Sequence, residues 1–160
     1  SHVYGDVEVT NPEIVEFQRA LGSDLGTVLD RFSEPEHGLE RAASDVDETI
    51  RRTREAGVGR RGMSLVGAAQ GGLHEELRER CAREISTLDL AVVAIGGVVP
   101  LMEAYRFRDL VRVILASKRG LDPSKPVHLF GAGHPLLFPL AALLGGSALL
   151  ILAHVKKGTG

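Results

Sequence analysis

Short apolar runs alternate with helical segments along the whole chain, and this alternation constrains the fold more than any other feature. Parallel strands need crossover connections of about a dozen or more residues, and the intervening helices are long enough to supply them. We therefore predict an α/β fold with a parallel sheet and right-handed crossovers. The predicted strands are residues 24–30, 63–70, 90–97, 126–131 and 148–152.

Capping residues and glycines mark the ends of the predicted helices. Asn11 is suited to cap the first helix, with Pro12 at its first position. The second helix is predicted to start at Ser44 or Asp45 and to end at Gly57. The other helices are predicted over residues 74–86, 103–120 and 135–144.

The balance of charges excludes a global attraction to nucleic acid or to anionic membranes. The formal net charge is −2, so any contact with RNA must come from a local basic patch. The single cysteine, Cys81, excludes an intrachain disulfide and a thiolate-rich zinc site, and it fits a reducing cytoplasm. Residues 1–10 lack the basic region and apolar core of a signal peptide. We expect a cytoplasmic protein that holds no cofactor.

One long uncharged segment has nearly the length of a membrane span. Residues 135–153 carry no charge over 19 residues. Pro139 and the Gly145-Gly146-Ser147 turn divide this segment, which favours a helix of about ten residues followed by a short buried strand. We therefore predict no membrane partner, and insertion of the segment into a bilayer stays as the alternative.

Polar, small and aromatic residues recur at the carboxyl ends of four successive predicted strands. Asp30 ends the first, Gln70 the second, Gly96 and Gly97 the third, and Phe130 the fourth. The carboxyl ends of parallel strands lie at one edge of a sheet, so these residues are predicted to share a pocket. A carboxylate, an amide, bare backbone N–H groups and an aromatic ring together suit a purine.

Four motifs in this order resemble those of the tRNA-guanine transglycosylase family, in particular its archaeal, archaeosine-forming type. The motifs are GSDLGTVLD, GAAQGG, AIGGVV and HLFGAGHP, and the similarity runs from Val3 to about Gly146. The family exchanges a guanine in tRNA for another base, preQ0 in the archaeosine type. The resemblance implies a TIM-type (β/α) barrel, and because a complete barrel takes roughly 250 residues, residues 1–160 are expected to form a single incomplete barrel domain of about five or six βα units.

The resemblance also implies the ligands and the roles within the pocket. Guanine or a 7-deazaguanine base is the expected ligand, and tRNA is a candidate partner. Asp30 is implied to bind the base, Gln70 and Gly97 to hold its O6, and Phe130 to lie against one face. Val98 is implied to offer its backbone to the 7-substituent of the incoming base.

Two aspartates carry the chemistry of this family, one as the nucleophile on the ribose and one for proton transfer. The nucleophile motif, counted forward from the His-Pro helix, falls on residues 149–151, so Leu150 stands where the attacking carboxylate is expected. The proton-transfer motif is expected before Ser1, and the zinc ligands of the family are expected in a segment after this chain. We therefore interpret the chain as truncated at both ends. No catalytic residue and no metal ligand is assigned, and this chain alone is predicted to be inactive.

Each residue of the predicted pocket also has a purely structural interpretation, which the sequence leaves open. Asp30 would then be a loop or capping carboxylate, and Gln70 a satisfied polar group beside a glycine turn. Gly96 and Gly97 would serve only a tight turn, and Phe130 would belong to the core.

Two further groups of residues have competing interpretations. His128 and His134 lack a third ligand, which disfavours a metal site. One dense basic cluster either contacts tRNA phosphates or only complements the dipole of the second helix. Its members are Arg51, Arg52, Arg54, Arg60 and Arg61.

Two functional hypotheses follow from the sequence. In the first, the chain is a member or remnant of the transglycosylase family that keeps a guanine pocket. In the second, it is a non-catalytic scaffold or half-barrel subunit, because an open sheet has unpaired edges that favour association. We expect a homo-oligomer or a complex with a complementary subunit.

Overall fold

The computed structural model of the chain describes residues 2–4, 6–131 and 137–144. The strands in these ranges are β1 (His2–Tyr4), β2 (Val7–Val9), β3 (Leu25–Thr27), β4 (Ser64–Ala69), β5 (Val92–Ile95) and β6 (Val127–Leu129). The helices are α1 (Asn11–Ala20), α2 (Leu39–Gly59), α3 (Glu75–Ser86), α4 (Val99–Glu103), α5 (Phe107–Gly120) and α6 (Leu137–Leu143). The predicted α/β class is confirmed.

Four parallel strands form the central sheet in the order β3-β4-β5-β6. Ala69 pairs with Ile95, and Ile95 pairs with Leu129, so β4, β5 and β6 end side by side. The predicted parallel sheet is confirmed, and its strands are shorter than the apolar runs that indicated them. The fifth predicted strand, residues 148–152, lies outside the described residues.

A short antiparallel hairpin of β1 and β2 precedes α1. The sequence pattern did not indicate this hairpin. The cap of α1 is Thr10 rather than the predicted Asn11: the Thr10 N–H and hydroxyl each donate to the Glu13 carboxylate at 2.7 Å. Asn11 is buried instead. Its amide donates to the Arg52 carbonyl, and its Oδ1 accepts from the Leu29 N–H. This side chain therefore ties α1 to α2 and to the segment after β3.

The long helix α2 begins before the predicted Ser44 or Asp45 and continues past Gly57. The Leu-Glu-Arg-Ala-Ala run ahead of Ser44 consists of strong helix formers, which explains the earlier start. Asp45 does not cap a helix. Its buried carboxylate lies 2.8 Å from His37 Nδ1 and 3.4 Å from Arg31 Nε. This residue therefore links α2 to the loop that follows β3.

The helix predicted over residues 103–120 is confirmed over Phe107–Gly120, but its predicted start is wrong, because α4 and α5 are separate. Tyr105 lies in the turn between them with a φ of +54°, a left-handed conformation that ends a helix and is uncommon for a residue other than glycine. Arg106 then occupies the N-cap position of α5 without a side-chain capping hydrogen bond, and its Nε donates to the Asp109 carboxylate at 2.9 Å.

Three clusters of buried apolar side chains form the core of the described residues, the smallest of which consists of Val66, Ala68 and Ala94 on β4 and β5. The other two are larger. One unites α1, α2 and α3 with β4 and β5, and the other unites β5 with α4, α5 and α6. The helices α3 and α5 pack closely, since a Cβ on Gly120 would overlap the Glu79 carbonyl oxygen. Arg119 of α5 donates to Glu75 and Glu79 of α3 beside this contact.

Among the described helices, none is long and apolar enough to cross a membrane. Most of the uncharged segment 135–153 lies outside the described ranges. Within those ranges β3 pairs only with β4, so its outer edge has no partner strand, and there the Thr27 N–H donates to the Gln18 amide oxygen at 2.7 Å while the Gln18 amide nitrogen donates to the Thr27 carbonyl at 2.9 Å. Association through this edge and a single domain over residues 1–160 stay predictions.

Gly120→Ala is expected to lower the free energy of unfolding by about 1–3 kcal/mol, because the added methyl overlaps the backbone of α3. Gly57→Ala is the matched control, since no atom lies within 4 Å of its added Cβ in the body of α2. The free energy of unfolding of this control is expected to rise by about 0.4–1 kcal/mol. Urea denaturation followed by circular dichroism measures both, and an unchanged stability of Gly120→Ala would contradict the close packing.

Candidate functional site

Asp30 and Gln70 meet where the chain leaves β3 and β4. The Gln70 amide nitrogen donates to Asp30 Oδ2 at 2.5 Å, and the Gln70 amide oxygen accepts from the Ser33 N–H at 3.3 Å. Gln70 is 1% exposed, while Asp30 is half-buried. Both ends of the amide are therefore used inside the protein, as a buried polar group requires.

Gly96 and Gly97 approach Gln70 from the end of β5. A Cβ on Gly96 would overlap the Gln70 amide nitrogen, and a Cβ on Gly97 would lie 3.2 Å from the Gln70 oxygen. Gly97 has a φ of +69°, a conformation that favours glycine. The partly exposed Gly97 has no acceptor for its N–H within the described part of the chain. The glycine pair thus combines a close backbone approach with a free donor.

Val98 and Phe130 adjoin this group, but their side chains pack elsewhere. The Val98 side chain is fully buried in the core cluster of α4 and α5. The Phe130 N–H donates to the Ile95 carbonyl at 3.2 Å, which places Phe130 beside the end of β5. Its ring meets the His128 ring edge-on, with 5.3 Å between centroids, and is 38% exposed. Phe130 therefore does not belong to the core, and its stacking on a base stays a prediction.

The loop of residues 31–38 packs against the same group. Ser33 is fully buried, and its N–H donates to the Gln70 amide oxygen. The His37 ring contacts the buried Asp45 carboxylate, and the His37 carbonyl lies 2.9 Å from His74 Nε2. The loop is thus held to both α2 and the segment that precedes α3.

A fully buried arginine, Arg78 of α3, lies behind the glycine pair. Its guanidinium donates to the carbonyls of Ala69 at 3.2 Å, Gly72 at 2.8 Å and Gly96 at 2.6 Å. The remaining terminal nitrogen, Nη2, has no hydrogen-bond partner among the described residues. Desolvation lowers the pKa of Arg78 to about 10, so the side chain stays charged at neutral pH.

Carboxylates pair with most of the basic cluster on and after α2. Arg52 is 3% exposed and donates to the carbonyls of Leu29 and Asp30 at 3.2 and 3.4 Å, and to Glu48. Arg60 and Arg61 follow the C-terminal end of α2, where the dipole favours positive charge, whereas Arg51, Arg52 and Arg54 lie in the body of the helix, so the predicted complement to the dipole applies to two of the five arginines only. Contact of the exposed arginines with tRNA stays a prediction.

The described residues include no group of three or more histidine, cysteine, aspartate or glutamate side chains that could hold a metal ion. Burial lowers the pKa of His128, and His134 lies outside the described residues. The buried Cys81 Sγ accepts from the Gln70 N–H at 3.3 Å. Burial raises the pKa of this thiol to about 11, so Cys81 supports Gln70 and does not act as a nucleophile at neutral pH.

Comparison with known proteins identifies the family to which this arrangement of strand ends belongs. The family model for queuine tRNA-ribosyltransferase matches residues 1–146. The chain belongs to this family. The predicted recognition of a transglycosylase is thereby confirmed.

Relatives of this family member are named tRNA-guanine(15) transglycosylase. The protein of Methanopyrus kandleri is 50% identical over 142 residues, and that of Picrophilus torridus is 48% identical over 156 residues. These alignments cover 89% and 98% of the present chain, but 31% and 24% of the relatives. The chain therefore spans about a quarter to a third of the length of the curated relatives it matches.

Arg78 was not named from the sequence, and Arg52 was named only as a member of the basic cluster, without a prediction that this transglycosylase-family chain buries both side chains. Arg78 lies on the same face of α3 as Cys81, Ala82 and Ile85, at spacings of three, four and seven. Arg52 lies on the buried face of α2. Helical periodicity could have indicated both positions, because a charged residue in phase with an apolar stripe is predicted to be buried.

Cys81 provides a chemical test of the packing behind Gln70 in this family member. We expect iodoacetamide to alkylate the native protein at pH 8 at least about 100-fold more slowly than the urea-unfolded protein, because a pKa raised from 9.0 to about 11 removes most of the thiolate. Mass spectrometry of this single cysteine measures the rates. The native rate should keep rising towards pH 11, and similar rates for both states at pH 8 would contradict the buried thiol.

Proposed function

We propose that this chain carries the base-binding part of a tRNA-guanine transglycosylase, within a partial TIM-type barrel. The supporting observation is that Asp30, Gln70 and the free Gly97 N–H lie together at adjoining strand ends. The ligand class is guanine or a 7-deazaguanine base such as preQ0, and tRNA is the macromolecular partner. A tRNA substrate would place the protein in the cytoplasm.

The three polar groups match the hydrogen-bonding edge of guanine. The Asp30 carboxylate would accept from the guanine N1–H and exocyclic amine, two neighbouring donors that suit two carboxylate oxygens. The Gln70 amide and the Gly97 N–H would donate to O6. Adenine presents an amine donor in place of O6 and loses these contacts. The site therefore favours guanine over adenine.

Base binding would exchange the hydrogen bond between Asp30 and Gln70 for bonds to the ligand. Without a base, each group satisfies the other at 2.5 Å, which avoids a buried unpaired polar group. A base that donates to Asp30 would release the Gln70 amide for O6, so hydrogen bonds are conserved in the exchange. We assign the Val98 backbone to the 7-substituent of the base, and the partly exposed Phe130 ring to one face of the base.

Asp30→Asn is expected to weaken the binding of guanine and preQ0 by about 1–3 kcal/mol, because an amide replaces one of two acceptors with a donor. Isothermal titration calorimetry measures the affinity. Asp24→Asn makes the same change at an exposed position before β3 and should leave the affinity unchanged. The pocket assignment fails if the unsubstituted protein binds neither base, or if Asp30→Asn binds them equally well.

We further propose that this chain alone does not exchange bases. The family motif for the nucleophilic aspartate falls on Leu150, and a leucine side chain has no lone pair with which to attack the ribose. Leu150 lies outside the described residues, so this proposal is supported by motif position alone. Loss of the nucleophile typically costs about 10⁴–10⁶ in rate.

Incubation with tRNA and radiolabelled guanine is expected to give no incorporation above background, because Leu150 cannot form the covalent intermediate. The Methanopyrus kandleri tRNA-guanine(15) transglycosylase is the positive control, and filter binding of precipitated tRNA is the readout. Incorporation within about 100-fold of that control would show that the nucleophile is supplied by another residue.

A further inference from the structure

The contacts assigned to the base do not explain why Arg78 is buried. The side chain is 0% exposed, and within the described chain no carboxylate pairs with it. Burial of a guanidinium without a counter-charge costs several kcal/mol, and an apolar side chain of similar volume would fill the space without that cost. A role beyond packing is therefore required.

Arg78 donates hydrogen bonds to peptide groups beside the proposed pocket. Its Nη1 lies 2.6 Å from the Gly96 carbonyl and 3.2 Å from the Ala69 carbonyl, and its Nε lies 2.8 Å from the Gly72 carbonyl. These carbonyls belong to the end of β4 and to the loops after β4 and β5. One planar, rigid fork thus sets the relative position of two loops.

The contact with Gly96 also fixes the direction of the Gly97 N–H. In a trans peptide the carbonyl and the N–H of one unit point in opposite directions. Because the guanidinium holds the Gly96 carbonyl, the Gly97 N–H points away from Arg78. The positive charge beside the carbonyl polarises the peptide and makes its N–H a stronger donor.

We propose that Arg78 is a positioning residue that aims the Gly97 N–H at the O6 of the bound base. The proposal rests on the proposed function of the site. The terminal nitrogen Nη2 of Arg78, which has no hydrogen-bond partner among the described residues, also supports the proposal. This nitrogen would lie only 2.9 Å from a Cβ on Gly97, so the guanidinium packs against this glycine. Arg78 itself is fully buried and acts through the Gly96–Gly97 peptide.

Arg78→Lys tests this role, because lysine keeps the charge but cannot reach three carbonyls with one planar fork. Guanine and 6-thioguanine are the probes, since sulfur in place of O6 is a weak acceptor that gains little from the Gly97 N–H. We expect the substitution to weaken guanine binding about tenfold, the equivalent of one net hydrogen bond, and to change 6-thioguanine binding by less than about twofold. Calorimetry measures both affinities.

Arg83→Lys is the matched control, because Arg83 is an exposed arginine on the same helix that pairs with Glu79. It should leave both affinities unchanged. An equal loss of guanine and 6-thioguanine binding in Arg78→Lys would indicate a structural role only, and would overturn the proposal. Unchanged affinity for guanine would overturn it as well.

A measurement without a base separates this inference from the proposed function. In ¹⁵N-labelled, ligand-free protein, Arg78→Lys is expected to shift the Gly97 amide resonance, and Arg83→Lys is not. An unmoved Gly97 amide overturns the role of Arg78 whatever the protein binds. A moved amide in a protein that does not bind guanine supports the orientation of the peptide and overturns the proposed function.

The unsubstituted protein keeps the proposal falsifiable if Arg78→Lys does not fold. A scalar correlation across the hydrogen bond from the Arg78 guanidinium to the Gly96 carbonyl carbon is then expected by NMR. Its absence, with the guanidinium resonances visible, overturns the proposal.

Discussion

The Gln70 side chain occupies the point at which the segments after β3, β4 and β5 come together, and the rest of the site depends on its burial. It donates to Asp30, accepts from Ser33, and leaves no room for a Cβ on Gly96. These contacts are mutually dependent. A larger residue at position 96 would displace the amide, and a displaced amide would lose its hydrogen bonds to Asp30 and to the Ser33 N–H. The site is therefore a cooperative polar network, in which a change at one member is felt by all.

Helices that pack behind the sheet supply charged groups that hold this network in place. Arg52 of α2 donates to the carbonyls of Leu29 and Asp30, and Arg78 of α3 donates to the carbonyl at the end of β4 and to one carbonyl after each of β4 and β5. Asp45 of α2 anchors the loop after β3 through His37. Buried charges of this kind stabilise a fold less well than apolar residues would. Their benefit is positional, because they bind backbone carbonyls in the loops that follow the strands.

The sequence predicted the part of this arrangement that follows from periodicity. Apolar runs marked the four strands of the sheet, and parallel pairing then placed Asp30 beside Gln70 and both beside Gly96. The break at Tyr105 could not be predicted, because a left-handed turn at a tyrosine is set by tertiary packing and has no compositional signal. The start of α2 was misjudged because Asp45 looks like a cap, whereas its carboxylate binds His37. The burial of Arg78 follows from its phase with the apolar stripe of α3, but the carbonyls it binds are identified only when the loops after β4 and β5 are seen together.

In the proposed function, recognition and chemistry have separate sources in this chain. The groups proposed to match guanine come from the ends of β3, β4 and β5, and each is supported by neighbours within residues 11–97. The nucleophile motif of the family falls on Leu150, outside the described residues. Interactions that bind a ground-state base do not require the groups that act in the transition state. A base pocket can therefore persist after its nucleophile is lost, because the packing that maintains Asp30, Gln70 and Gly97 also stabilises the fold.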